Sequence, residues 1–180
     1  YSHATSMFAV SAFVFAWLAT RGRPGFGRWV LLGALGSLAG LVRWQDAVIL
    51  LLPAGEALAA VWRRQAHVGA AALRLAAMSA AAAVVFIPQL VAWNALYGTP
   101  LLIPQGSGFM QWSQPAIGGV LFSLKRGLFS WTPALLAGAV GFPFVIRRDR
   151  LAGWLMLVLL IGTVYVNASV KDWWAGEAYG

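Results

Sequence analysis

Six long apolar stretches divide this chain, at about residues 4–20, 29–42, 47–61, 70–94, 131–146 and 151–168, and most are joined by short connections. That pattern narrows the fold more than any other feature. A hydrocarbon core of roughly 30 Å asks for about 20 apolar residues per helix. Only 10% of the residues are charged and 61% are apolar, whereas a soluble domain carries about 25% charged residues. The sequence therefore predicts an all-α, polytopic transmembrane helical bundle of about six spans, forming a single multi-span domain over residues 1–180. The net charge of +8 does not point to nucleic acid, because the cations punctuate apolar spans and form no basic face. Cysteine is absent, which excludes disulfides and thiolate chemistry. The chain enters a span directly at Tyr1 and stops at Gly180 inside a motif, so an internal segment of a larger protein is expected.

The connections fall into two chemical types. Arg21, Arg23 and Arg28, then Arg63, Arg64 and Arg74, then Arg147, Arg148 and Arg150 hold nine of the thirteen cations. The other connections are rich in aromatic, glycine, proline and amide residues. The two types alternate, and short cytoplasmic loops collect Lys and Arg. The basic loops are expected inside. Tyr1, residues 43–46, 95–130 and 169–180 are expected on the outer face of the membrane. All ten tryptophans are expected in aromatic belts near span ends.

The outward segments carry most of the polar chemistry. In "GLVRWQDAVILLLP" (40–53), Arg43, Gln45 and Asp46 form a turn between two short spans. Residues 29–61 offer only 33 positions for two crossings, so this turn is expected slightly below the outer surface, covered by protein or lining a wet cavity. The loop 97–119 carries prolines, glycines and amides. The stretch 120–133 suits a short interfacial helix bearing Lys125 and Arg126. The C-terminal "KDWWAGEAYG" brings Lys171, Asp172, Trp173, Trp174 and Glu177 together, and "YSHATS" puts His3 at the outer end of the first span. Each has a plainer reading. Lys125 and Arg126 suit snorkelling to headgroups, Arg43 and Asp46 suit an i, i+3 pair at a helix end, and the two tryptophans suit a belt. Glu56, inside the third span, is expected to pair with Arg63 or Arg64, and Asp149 to be a solvated charge.

Four local patterns resemble bacterial integral-membrane glycosyltransferases of the GT-C superfamily, related to protein O-mannosyltransferases and lipid A aminoarabinose transferases (glycosyltransferase family 39-like). "YSHATSMFAVSAFVFAW" resembles the Tyr-Ser-His-Ala opening of a mid-chain span. "GLVRWQDAVILLLP" resembles an outer turn with Arg-Pro or Arg-Trp-Gln. "FSLKRGLFSWTPALL" resembles an Arg-Gly-Leu-Phe loop followed by an aromatic residue, Ser/Thr and Pro. "DWWAGEAYG" resembles a Trp-x-Gly-Gly-x-x-Phe-Gly motif, with Ala175 in place of the first glycine and Tyr179 in place of phenylalanine.

The resemblance implies many transmembrane helices with an outward-facing active site, and a polyprenyl-phosphate-linked sugar as donor. The acceptor would be a glycan, lipid or protein. The family's general base lies in an outer loop before the position of Tyr1, so none of Asp46, Asp172 and Glu177 takes that role. Transfer requires a base for the acceptor and cations for the leaving phosphate. Lys125 and Arg126, then Arg43, then Lys171 suit the phosphate. Asp46, Gln45, Trp173, Trp174, Asp172, Glu177 and His3 suit sugar or acceptor. No metal-ligand set is evident, though a divalent metal ion between outer carboxylates is compatible with a phosphate-bearing substrate. The competing readings are a flippase or transporter of a lipid-linked substrate, and a non-catalytic membrane scaffold.

Overall fold

The computed structural model describes residues 2–23, 25–101, 108–125 and 127–174. Among these the chain is helical, apart from connections and one isolated antiparallel bridge between Met110 and Val170. The elements are α1 (Ser2–Ala19), α2 (Phe26–Val42), a 3₁₀ segment (Trp44–Leu50), α3 (Leu51–Trp62), α4 (Val68–Tyr97), α5 (Ile117–Phe122), α6 (Leu128–Trp131), α7 (Ala134–Arg148) and α8 (Arg150–Ala168). Three helical stretches, Trp44–Trp62, Val68–Tyr97 and Arg150–Ala168, are long and apolar enough to cross a membrane. They mark the chain as a membrane protein.

Among the described residues, three of the six expected crossings meet the length and hydropathy of a span. His3–Ala19 and Phe26–Val42 are apolar but shorter, and α7 has 15 residues with Arg147 and Arg148 in its last turn. The interfacial helix expected over 120–133 is instead two short helices, α5 and α6, separated by a turn.

The chain divides into two compact units, residues 1–102 and 103–180. In the first, the Trp44–Leu50 segment solves a length problem. A 3₁₀ helix rises ~2.0 Å per residue and an α-helix ~1.5 Å. Seven residues of the first and twelve of the second reach about 32 Å, against roughly 28 Å for the same stretch as pure α-helix. The wider pitch lets a short sequence match the hydrocarbon thickness.

Close packing around α2 holds this unit together. A Cβ on Gly33 would overlap the Met78 carbonyl of α4, and one on Gly36 would overlap Leu50 of the 3₁₀ segment. Glycine at these two positions lets helix backbones approach, as small residues do between membrane helices. Ser37 Oγ donates to the Ala82 carbonyl at 2.8 Å across the α2–α4 contact. Trp29, Ala57, Ala71 and Met78 form a buried cluster, with Ala54, Val61 and Leu75 packed against it.

That cluster joins the start of α2, the later half of α3 and the start of α4. The connections at residues 20–25 and 63–67 therefore lie at one end of the unit. The Arg43–Asp46 turn lies at the other end, beside the start of α1.

In the second unit α7 and α8 are linked through Asp149 alone. Its extended backbone (φ −144°, ψ 95°) ends α7, and its Oδ1 accepts from the Ala152 N–H at 3.0 Å. Asp149 is thus the N-cap of α8, not merely the solvated charge expected from its arginine-rich surroundings. A Cβ on Gly153 would overlap the Ile146 backbone, so the two helices meet closely there. At the far end of α8 the segment around Met110 crosses the chain after Ala168. Gln111 N–H donates to Ser169 at 2.6 Å, Ala116 N–H to Ala168 at 2.8 Å, and Lys171 N–H to Phe109 at 2.9 Å. Within each unit, then, the basic connection and the non-basic connection occupy opposite ends.

Candidate functional site

The Arg43–Asp46 turn is built by helix termination. The Arg43 N–H completes α2 on the Ala39 carbonyl at 3.0 Å, and its own backbone turns extended (φ −146°, ψ 117°). The Asp46 N–H then donates to the Arg43 carbonyl at 2.8 Å and starts the 3₁₀ segment. The sharp turn sends both side chains towards α1. The Arg43 Nη1 lies 3.4 Å from His3 Nδ1. Guanidinium nitrogens only donate, so in this contact Nδ1 is the acceptor. Ser6 Oγ donates to Asp46 Oδ2 at 2.5 Å.

His3 and Ser6 are i and i+3 on α1, one face of one turn. Ser6 is nearly buried, and Arg43, Gln45 and Asp46 are half-buried. The result is a partly shielded polar end presenting a guanidinium, an imidazole, a hydroxyl and a carboxylate. Arg43 and Asp46, whose plainer reading is a local i, i+3 pair, each engage a residue forty positions away. Ser6 is the member that sequence reasoning missed. Its helical spacing from His3 was the available signal.

A second polar cluster occupies the opposite end of the same unit. Glu56 Oε2 accepts from Arg28 Nη2 and from Trp17 Nε1, each at 2.7 Å, with Arg21 Nε at 3.9 Å. Arg28 Nε also donates to Thr20 Oγ1 at 3.2 Å, and Thr20 Oγ1 donates to the Ala16 carbonyl at 2.6 Å. The Arg21 and Arg28 guanidiniums stand over the Trp17 and Trp29 rings at 5.4 and 5.1 Å. This corrects the expectation that Glu56 pairs with Arg63 or Arg64. Those residues are seven and eight positions on, about two helical turns or ~10 Å, whereas pairs along one helix form at three or four. It also moves two tryptophans out of the expected belt. Trp17 is fully buried and Trp29 nearly so. Exposed Trp44, Trp62 and Trp154 keep the belt character.

In the second unit the expected site residues gather around the far end of α8 and the α5–α6 turn. Lys125 is exposed on that turn, which is closed by Gly127 N–H to Ser123 O at 2.7 Å and by Trp131 Nε1 to Leu124 O at 3.0 Å. Lys171 and Asp172 are exposed after α8. Trp173 packs on α5, where a Cβ on Gly119 would overlap its ring, and it meets Trp174 edge-on with centroids 5.6 Å apart. Tyr165 stacks against Trp112 and donates to its carbonyl at 2.7 Å. Arg126 and Glu177, and residues 102–107 of the expected loop, lie outside the described residues. An apolar groove of about 610 Å³ runs among α5, α6, α7 and α8, with Leu121, Leu128, Phe142 and Val164 in its wall. Among the described residues no three His, Asp or Glu side chains gather as a metal site would require.

Fold and polar ends together define a helical membrane protein with its ionisable groups collected at helix ends. No protein-family model matches the chain, and neither a curated protein nor a solved structure shows significant similarity to it.

Proposed function

We propose that this chain belongs to a membrane glycosyltransferase of the GT-C type, which moves a sugar from a polyprenyl-phosphate donor to an acceptor at the non-basic face of the membrane. The observation that carries the reading is the meeting of α1 with the Arg43–Asp46 turn. Two of the four stretches that resemble that superfamily, forty residues apart, supply complementary polar groups to one place. Arg43 offers a planar fork of donors suited to phosphate, and His3 engages only one of its N–H groups. Ser6 orients Asp46, whose carboxylate suits a sugar hydroxyl. Gln45 borders the same turn.

The second unit supports the lipid side of the reaction. Its groove suits a hydrocarbon chain, and Lys125 stands on the turn between α5 and α6, two of the helices that line the groove. Within this unit Lys125 and Lys171 are candidates for a lipid phosphate, and Asp172 and Trp174 for sugar or acceptor. A transporter would instead concentrate polar groups near the midplane, whereas Glu56 and its partners sit at the basic end of their unit.

The test is sugar transfer from a radiolabelled polyprenyl-phosphate sugar in membranes carrying Arg43→Ala, Asp46→Asn or Lys125→Ala. The proposal expects at least a tenfold loss of transfer in Arg43→Ala with normal insertion. Labelling of a cysteine at position 44 from the outer side should accompany it. Full transfer in all three variants would remove the site, and substrate movement without transfer would favour a flippase.

A further inference from the structure

The basic end of the first unit has far more positive charge than the fold consumes. Residues 1–102 contain two carboxylates, Asp46 and Glu56. Asp46 is bound at the opposite end by Ser6. The basic end therefore sets six arginines, at 21, 23, 28, 63, 64 and 74, against one glutamate. That glutamate is already shared by Arg28 and Arg21. Arg23, Arg63 and Arg64 are exposed, as is His67 between them and α4. Trp62 stands beside Arg63 with 87% of its surface accessible.

The backbone adds an independent observation. Arg64 is the one described non-glycine residue with positive φ, at 57°. It ends α3 in the left-handed conformation, and the Gln65 N–H reaches back to the Ala60 carbonyl at 2.8 Å. Helices commonly close this way with glycine, which adopts the conformation without a Cβ penalty. Here an arginine occupies the position, at a conformational cost that glycine would avoid.

We infer that this end of the molecule is a docking surface for the headgroups of anionic phospholipids in the adjoining leaflet. The occupant is set by chemistry on the page. Arg63 and Arg64 follow candidate span Trp44–Trp62, Arg74 lies in the second turn of Val68–Tyr97, and Arg21, Arg23 and Arg28 share that end of the unit. They therefore stand where phosphate groups of a bilayer stand. An exposed indole at the same level suits the headgroup layer. Each basic side chain near an anionic leaflet contributes about fivefold in preference. The surface is distinct from the glycosyl-transfer residues proposed in this unit, which lie at its other end, and does not depend on that reading.

The experiment is native mass spectrometry of the intact protein with equal concentrations of phosphatidylglycerol and phosphatidylcholine. It is repeated for Arg64→Gly, for a triple variant (Arg23→Gln, Arg63→Gln, Arg64→Gly), and for Gln65→Ala as a charge-neutral control on the same exposed connection. The wild type should retain phosphatidylglycerol preferentially. Arg64→Gly should lower that preference about fivefold while unfolding at an equal or higher temperature, which separates lost binding from lost fold. The triple variant should approach equal binding, and Gln65→Ala should behave as the wild type. Equal retention of both lipids by the wild type, an unchanged preference in the triple variant, or an equal loss in Gln65→Ala would overturn the inference. Displacement of phosphatidylglycerol by millimolar inorganic phosphate would overturn it too, by making free phosphate the ligand.

Discussion

Replacing Glu56 by glutamine should destabilise the first unit by about 3 kcal/mol, a figure that follows from what the substitution leaves behind. The amide oxygen can still accept from Trp17 Nε1, now at 2.7 Å, so the buried indole keeps a partner. The charge is lost. Arg28, whose side chain is 6% exposed, is then buried without a counter-ion, with the Arg21 guanidinium close by. Removing one member of a buried pair costs ~3–5 kcal/mol, mainly the penalty of the stranded charge. The 18% exposure of the Glu56 side chain places the effect at the lower end of that range. For a chain of this size ~3 kcal/mol corresponds to roughly 6–12 °C in unfolding midpoint.

The informative assay is a double-mutant cycle with Arg28→Met, followed by thermal unfolding in detergent. The double variant removes both charges and retains the Trp17 contact. It should lie within ~1 kcal/mol of the wild type, because a buried ion pair contributes little relative to apolar replacements. Because Arg28→Met alone also strands a charge, a coupling of at least ~2–3 kcal/mol is expected. If Glu56→Gln shifts the midpoint by less than a degree, or the double variant is as unstable as the sum of the singles, the stranded-charge argument fails.

Two other substitutions test the packing. Gly33→Leu should destabilise by ~1–3 kcal/mol through overpacking against the Met78 backbone, measurable as a lowered unfolding midpoint; a neutral result would mean that α2 and α4 do not approach so closely. Asp149→Ala should cost ~1 kcal/mol by removing the α8 cap, with Asp149→Ser restoring most of it. Equal losses in the two variants would show that the side-chain acceptor is not what Asp149 contributes.

Much of the fold is local information. Apolar length, helix positions and the alternation of basic and non-basic connections could be read from the chain, because a bilayer requires long apolar stretches and helices satisfy their backbone within one segment. The candidate turn at Arg43–Asp46 was legible for the same reason: polar residues between two apolar runs must end them. Counting spans was less secure, since His3–Ala19 and Phe26–Val42 fall short of the length, and stretch limits cannot reveal where a cap or a 3₁₀ turn will begin.

What the sequence determined by itself is therefore the class of molecule, an all-helical chain with a membrane's hydropathy, and which ends of its helices are basic. Partnership was decided by tertiary structure alone. Glu56 meets Arg28 and Trp17, Asp46 meets Ser6, and Arg43 meets His3, all across 28 to 40 positions of chain. These pairings depend on how each helix is rotated about its axis and how closely glycines let neighbours approach. A rotation of one residue, ~100°, would point each of these side chains elsewhere while leaving the hydropathy of every span unchanged.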